Sequence, residues 1–292
     1  MGAENNVITT EEVKVTRERD YAILFGEQVS GLLDMMGVSR LTPIVAGTTL
    51  TQKVVSGTLE NGTNIAEGDI IPLSQYEVEE VPIGTAKLDK WRKATTAEAI
   101  LKSGFDVAVN DTDAKMVRDI QKGIRGQFIT SLASGEGVAS GESLQEALAD
   151  AWGQLAVAFE DDDVNAVYFL NPQDVAEYLG KAQITIQNAF GFRYIADFLG
   201  LGTVIMNSNI TKGTFYATAS QNINVLYVNV NEANGLGEAF AFTTDDETGF
   251  IGIHEESNYT RLQSETVAVA GLYIFAEMPK GVIVGTIGKD TP

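Results

Sequence analysis

Cysteine is absent from the sequence, which excludes a disulfide framework, a thiolate zinc site and a cysteine nucleophile. Histidine is scarce: His254 stands alone, so a nucleophilic triad has a single residue to build on. No stretch approaches the roughly 18 consecutive apolar residues of a membrane span. The opening MGAENNVITTEEVKVTRERD has no apolar core of a signal peptide, and Gly2 lacks the Ser or Thr that a myristoylation signal places after it. Neither a G-x-x-x-x-G-K-[ST] phosphate loop nor a G-x-S-x-G nucleophile turn occurs. Positive charge is also thin. There are 20 basic residues against 40 acidic ones, a formal net charge of -20. The excess is uneven: residues 1–125 hold 14 basic and 19 acidic side chains, residues 126–292 hold 6 and 21. A surface this acidic repels nucleic acid except where a basic patch stands out, and it suits a protein that must stay soluble when crowded.

What is present is an ample supply of core. The chain has 292 residues, 44% hydrophobic and 21% charged, enough for two average domains or one with long excursions. Residues 1–45 are polar, then mildly amphipathic. Residues 7–19 have the charge density of an exposed arm. In YAILFGEQVSGLLDMMG, Ile23, Leu24, Val29, Leu32 and Leu33 recur near helical spacing, and Pro43 marks a break. The stretch SGTLENGTNIAEGDIIPLSQYEVEEVPI, 56–83, reads as a strand, a soft polar tip and a second strand. Leu50, Gln52 and Val54 share one face of the incoming strand; Tyr76 and Val78 share one face of the returning strand. The tip mixes Gly57, Gly62 and Gly68 with Glu60, Asn61, Asn64, Glu67 and Asp69. A two-stranded hairpin is marginal in water by itself, and this one has little apolar surface to bury on its own chain.

Residues 111–134 read as a long helix. Asn110 and Asp111 are cap candidates, Gly135 is a stop, and Val117, Ile120, Ile124 and Phe128 make an apolar stripe. Lys115, Arg118, Lys122 and Arg125 fall within roughly 80° of one another, away from that stripe. They form either a solvated face or a contact for phosphates or an acidic partner. Gly123 and Gly126 lie inside the helix at about 1 kcal/mol each relative to alanine, and close approach of another segment is one reason to tolerate them. GESLQEALADAWGQLAVAFE is a second helix, with Ser143 and Glu146 as a capping box and Leu144, Leu148, Ala151, Leu155 and Phe159 buried. VNAVYFL is a buried strand. NPQDVAEYLG is a short helix, with Asn171 as cap, Pro172 in the first turn and Gly180 as stop. From residue 200, TVIMN, GTFYATA, NINVLYVNV, EAFAFTT, GFIGIHEE, the long ETVAVAGLYIFAEM and GVIVGTI read as strands. The class is α+β with mixed sheets and no internal repeat.

Candidate chemistry is thin. His254, in IGIHEESN, has the chemistry of a base or ligand, but with no cysteine or second histidine beside it, it reads as a half-exposed strand residue. ASGEGVASGE resembles a phosphate loop, yet Ser140 takes the third glycine position and no strand precedes it; it reads as a flexible connection between helices. Asp161, Asp162 and Asp163 are adjacent and cannot converge on one cation, so they read as a solvated loop. NVNEANGLG fails as a calcium loop because Val230 falls where a carboxylate belongs. The sequence assigns no catalytic residue, cofactor or metal, and an enzyme is not expected. A segment that cannot offset its ordering entropy alone orders against another chain, and free strand edges pair with neighbours. The ribbon's missing core is therefore expected from adjacent copies, with Gly57, Glu60, Asn61, Glu67, Asp69 and Tyr76 as contact candidates.

The order of these parts resembles the major capsid protein of tailed bacteriophages, with the Hong Kong 97-type shell fold, over nearly the whole chain. EGDIIPLSQYEVEEVPIGTAKLDKWRKATTAEAI is similar to that family's returning E-loop strand and the approach to its spine helix. YFLNPQDVAEYL, FLGLGTVIMNSNITKGTFYATASQNINVLYV and ETVAVAGLYIFAEMPKGVIVGTI look like later elements of the family, in the right order. The resemblance implies an N-terminal arm at 1–45, an E-loop at 46–95 and a peripheral domain with spine helix at 96–140. An axial domain at 141–242, peripheral return strands at 243–278 and a final axial strand at 279–292 would follow. It implies a virion protein, assembled in the host bacterial cytoplasm as pentamers and hexamers of an icosahedral head. It further implies a portal protein, a separate scaffolding protein, packaged double-stranded DNA held without sequence specificity, and no membrane. The basic stripe Lys115, Arg118, Lys122 and Arg125 would then face the interior. Some members form an isopeptide bond from an E-loop lysine; 56–86 has no lysine, so no such bond is expected at the tip. Alternatives are an encapsulin-like nanocompartment shell of the same fold, or a β-rich hydrolase or carbohydrate-binding protein.

Overall fold

The structure, a computed structural model, describes residues 10–38, 40–60, 65, 70–160, 164–180, 186–189, 192–231, 236–245 and 248–288. Its first element is a 27-residue helix, α1 (Thr10–Met36), longer than the short helix expected. Ala22, Phe25, Val29, Leu32, Leu33 and Met36 form its buried face, at the i, i+3, i+4 recurrence of an amphipathic helix. Gly37, at φ 66, ends it: the Gly37 N–H donates to the Asp34 carbonyl at 3.0 Å and the Val38 N–H to the Leu33 carbonyl at 2.9 Å. That pair of bonds is a Schellman turn, which glycine favours because it enters the left-handed region without a Cβ penalty. The exposed-arm reading of 7–19 fails at its end. Arg17 Nε donates to Glu255 at 2.9 Å, and Glu18 accepts from the Glu255 N–H at 2.6 Å and from Thr243 Oγ1 at 2.5 Å. Local charge density could not reveal these anchors, because Arg17 and Glu255 lie 238 positions apart.

β1 (Leu41–Pro43) precedes the hairpin strands β2 (Thr49–Thr58) and β3 (Gln75–Thr85), and β4 (Asp89–Thr96) follows. α2 (Ala97–Ser103) starts where Thr96 Oγ1 accepts from the Ala99 N–H at 3.3 Å. It stops at Gly104, φ 81. A single π turn, Asp106–Asn110, then runs directly into α3 (Asp111–Leu132). Asn110 is therefore no cap. It is helical itself, and its side chain donates to Asp106 at 2.9 Å and accepts from Arg17 at 2.7 Å. With helix continuing upstream, no bare N-terminus is left for a cap to serve. The expected apolar stripe of α3 is buried throughout.

β5 (Gly137–Gly141), α4 (Leu144–Ala158), β6 (Ala166–Leu170), α5 (Pro172–Leu179), β7 (Gln187–Ala189), β8 (Phe192–Ile195), β9 (Thr203–Met206) and β10 (Thr214–Ala219) come next. The Ser143–Glu146 capping box and the Asn171 cap of α5 form as read from sequence. The chain closes with β11 (Ile223–Tyr227), α6 (Leu236–Phe240), β12 (Thr243–Thr244), β13 (Ile251–Asn258), β14 (Gln263–Ala270), β15 (Leu272–Ala276) and β16 (Val282–Ile287). Three expectations change here. EAFAFTT is α6 followed by a two-residue strand, since Leu, Glu and Ala favour helix locally. The glycine-rich connection is strand β5, parallel to β16. The long strand breaks at Gly271, where a Cβ would come 3.0 Å from Val228, and its halves β14 and β15 join different sheets.

The strands form a seven-stranded sheet in the order β5-β16-β10-β6-β9-β8-β7, a four-stranded sheet β12-β13-β14-β4, a three-stranded sheet β1-β11-β15, and the isolated pair β2-β3. β4, expected as part of the hairpin arm, instead pairs along its whole length with β14. Two cores meet on the large sheet. Val167 and Phe169 of β6 face a core built with α1 and α3, while Ala166, Tyr168 and Leu170 face another built with α4. Period-two alternation between two buried faces is why β6, AVYFL, carries no charged or amide side chain. Phe128 of α3 meets Phe169 edge to face, with centroids 5.2 Å apart at 85°.

Glycines play two opposite roles. A Cβ on Gly285 of β16 would lie 2.0 Å from the Phe215 ring, its cross-strand partner. At Gly123 and Gly126 of α3, a Cβ would meet nothing within 4 Å. No described segment of this chain approaches them closely, so close approach within the subunit does not account for them. Gly285→Ala should destabilise the dissociated subunit by about 1–3 kcal/mol through overpacking. Gly123→Ala should stabilise it by about 1 kcal/mol. Urea unfolding of the two variants checks both signs.

Candidate assembly interface

The β2–β3 ribbon runs from Thr49 opposite Thr85 to Thr58 opposite Gln75, with the register skipping Ile83 between Leu50 and Thr51. Each strand has one neighbour and one free edge. Pro82 is tolerated because no second strand needs its missing N–H. Only the base is sealed: Leu50 is buried, whereas Tyr76 and Val78 are exposed. Gly57 and Tyr76 lie directly opposite one another, and a Cβ on Gly57 would come 2.2 Å from the ring. The tyrosine thus covers the glycine's bare backbone, as Phe215 covers Gly285, and the two candidates are each other's partners first. Glu60 is exposed, and its N–H donates to Ser74 Oγ at 3.1 Å. Asn61, Glu67 and Asp69 lie outside the described residues, as do Gly62, Asn64 and Gly68.

Sequence reading overlooked the apolar part of this arm. Ile70 is 93% exposed and Leu73 92%, with Ile71 and Leu59 also outside. The run IIPL was the available signal, masked by the glycines and carboxylates around it.

An apolar groove lies on the body. α2, the π turn and the β13–β14 turn enclose a largely apolar groove of about 480 Å³ lined by Arg17, Ile100, Phe105, Tyr259 and Leu262. The Arg17 guanidinium sits 5.1 Å from the Phe105 ring centroid, a cation–π contact that holds the aromatic in place. Of its lining, Tyr259 and Leu262 stand exposed. Charged pairs fix the frame. Lys93 reaches the buried Asp113 at 2.6 Å, joining β4 to α3. Buried Glu265 accepts from Gln263 at 2.7 Å, Arg92 at 2.8 and 2.5 Å, and Asn258 at 2.9 Å. The side-chain donors Gln263, Arg92 and Asn258 hold its carboxyl well below the usual range, at about 2.

The basic stripe splits. Lys115 pairs with Asp119, and Arg118 Nε donates to the Ala114 carbonyl at 3.2 Å. Lys122 and Arg125 instead line a separate cavity. His254 is a partly exposed residue of β13 with Nδ1 3.1 Å from the Ala241 carbonyl. Glu18 and Glu255, both buried, are taken up by different partners: Glu18 by Thr243 and the Glu255 N–H, Glu255 by Arg17. Asp161, Asp162 and Asp163 lie outside the described residues. Among the described residues, no group of three histidine or acidic side chains is placed to hold a metal, and no helix is long and apolar enough to cross a membrane.

The α+β architecture is the phage major-capsid shell fold that the sequence resembles. A structure from Gordonia phage Cozz superposes with a TM-score of 0.56 at 11% identity, over 89% of this chain and 87% of that one. The capsid of cyanophage P-SCSP1u gives 0.54 at 7% identity, over 86% of each chain. A virus-like particle from Pyrococcus furiosus gives 0.52 at 14% identity, over 92% of this chain and 97% of that one. At such identities the likeness is one of fold. A family profile described as the SHIRT domain matches residues 40–119. That span begins just before β1 and ends inside α3, so it is no self-contained unit here. No curated protein matches the sequence significantly.

Because folding lowers the Glu265 pKa from 4.5 to about 2, its contribution to stability is complete above pH 4.5 and is lost as pH falls through about 2. Glu265→Gln should remove that part of the acid-induced loss of stability. Thermal midpoints measured between pH 5 and 2 for the two proteins give the comparison; parallel curves would contradict the assignment.

Proposed function

We propose that this chain is the subunit of a closed icosahedral shell, of the phage major-capsid type, and that it acts by assembling rather than by catalysis. The observation that carries the reading is the β2–β3 ribbon: a free-edged, two-stranded sheet with Ile70, Ile71 and Leu73 in water, on a fold shared with the P-SCSP1u capsid. The ribbon is the E-loop and α3 the spine helix. The divisions at 45, 140, 242 and 278 belong to the same proposal, with the ribbon ending at Thr85 because β4 belongs to the body sheet. In a shell the ribbon lies across a neighbouring copy, and the IIPL run fills the groove lined by Phe105, Tyr259 and Leu262. The area each contact buries is small, and stability comes from the number of contacts that ring closure makes simultaneous.

The setting that goes with this reading is a virion assembled in the bacterial cytoplasm from pentamers and hexamers. A scaffolding protein, a portal and packaged double-stranded DNA complete it. One observation favours the second reading, a nanocompartment shell: a net charge of -20 works against a DNA container. The contents of purified particles, DNA or a protein cargo, separate the two.

Ile71→Asp with Leu73→Asp should abolish particles seen by electron microscopy of the full chain. The thermal midpoint of the dissociated subunit should stay unchanged, because both side chains are exposed there. Normal particles from the double variant would overturn the seating of this run.

A further inference from the structure

Lys122 and Arg125 of α3 meet a third cation, Arg193 of β8, around a cavity of about 200 Å³ whose wall is completed by Asn207, Ser208 and Asn209. The cations come from two elements far apart in sequence, α3 and β8, and converge in a chain of net charge -20. Lys122 and Arg193 make no hydrogen bond or ion pair with any described residue. Asp119, one turn earlier on α3, is held by Lys115. Arg125 is partly buried, and burial alone lowers its pKa below the usual guanidinium value. Arg125 is also engaged within the chain, which leaves Lys122 and Arg193 as the cations without a described partner. Lining one small cavity with three like charges, two of them so placed, favours an anion in the space between them.

We propose that Lys122, Arg125 and Arg193 form a phosphate-binding site, with the Ser208 hydroxyl and the Asn209 carboxamide as neutral partners. Guanidinium groups suit an oxyanion through paired N–H donors, and a lysine adds a compact charge. The cavity is open to solvent on one side and large enough for a phosphoryl group. Lys122 and Arg193 are exposed, so a phosphoryl group can enter while attached to something larger. Lys115 and Arg118 do not belong to this site. The site is independent of the shell reading, since it concerns binding by the subunit itself.

Inorganic phosphate titrated into the full chain, at constant ionic strength set with chloride and followed by calorimetry, tests this. Saturable binding is expected. It should weaken about tenfold in Arg193→Gln and in Lys122→Gln, the usual effect of deleting one charged hydrogen bond. It should be unchanged in Lys115→Gln, which removes the same charge outside the cavity. Arg193 and Lys122 are exposed, so these variants retain the fold; circular dichroism verifies that. Absence of saturable binding, retained affinity in both cavity variants, or an equal loss in Lys115→Gln would overturn the site. A short DNA duplex added to the phosphate complex identifies the source of the group. Displacement of bound phosphate that depends on Arg193 points to a phosphodiester, and binding of phosphate without displacement points to the free ion.

Discussion

A strand pair with nothing on either side has to find its burial elsewhere. Hydrogen bonds between β2 and β3 satisfy half of each strand's backbone, but the outer edges and most side chains face water. Two-stranded ribbons of this kind are marginal in isolation, and exposed edges invite pairing with another chain. The body offers what the ribbon lacks, an apolar groove held open by Phe105 and by the charged frame of Arg17, Arg92 and Glu265. Because ribbon and groove lie in the same chain, the proposed contact would repeat from copy to copy, closing where the rotation between copies permits.

The rest of the architecture makes the groove rigid. α1 is tied to β13 through Arg17 and Glu18, and β4 is tied to α3 through Lys93 and Asp113. The large sheet buries both faces, one against α1 and α3 and the other against α4. Glycine is used where an aromatic ring must lie over a strand, at Gly285 beneath Phe215 and at Gly57 beneath Tyr76. At Gly123 and Gly126 the helix surface is left bare, and the described residues of this chain provide nothing that fills it.

Much of this was legible in the sequence wherever the determinants are local. The Ser143–Glu146 box, the Asn171–Pro172 start and the apolar stripe of α3 declare themselves over one or two turns. The hairpin strands were legible from their alternation. What was hidden depends on partners distant in sequence. The break at Gly271 comes where β14 and β15 join different sheets, the strand at Gly137–Gly141 depends on β16, and the anchoring of Arg17 on Glu255. Arg193 could not be grouped with Lys122 and Arg125 until β8 was placed beside β9. The apolar run Ile70–Leu73 was visible as letters, but its exposure was not.

The central claim is that the ribbon is held by a neighbour and not by its own chain. Amide hydrogen exchange in the strands Thr49–Thr58 and Gln75–Thr85 measures this directly, comparing dilute subunits with assembled particles. The account predicts fast exchange in the dilute subunit, a sign of local opening at little free-energy cost, and strong protection on assembly. Equal, strong protection in both states would contradict it.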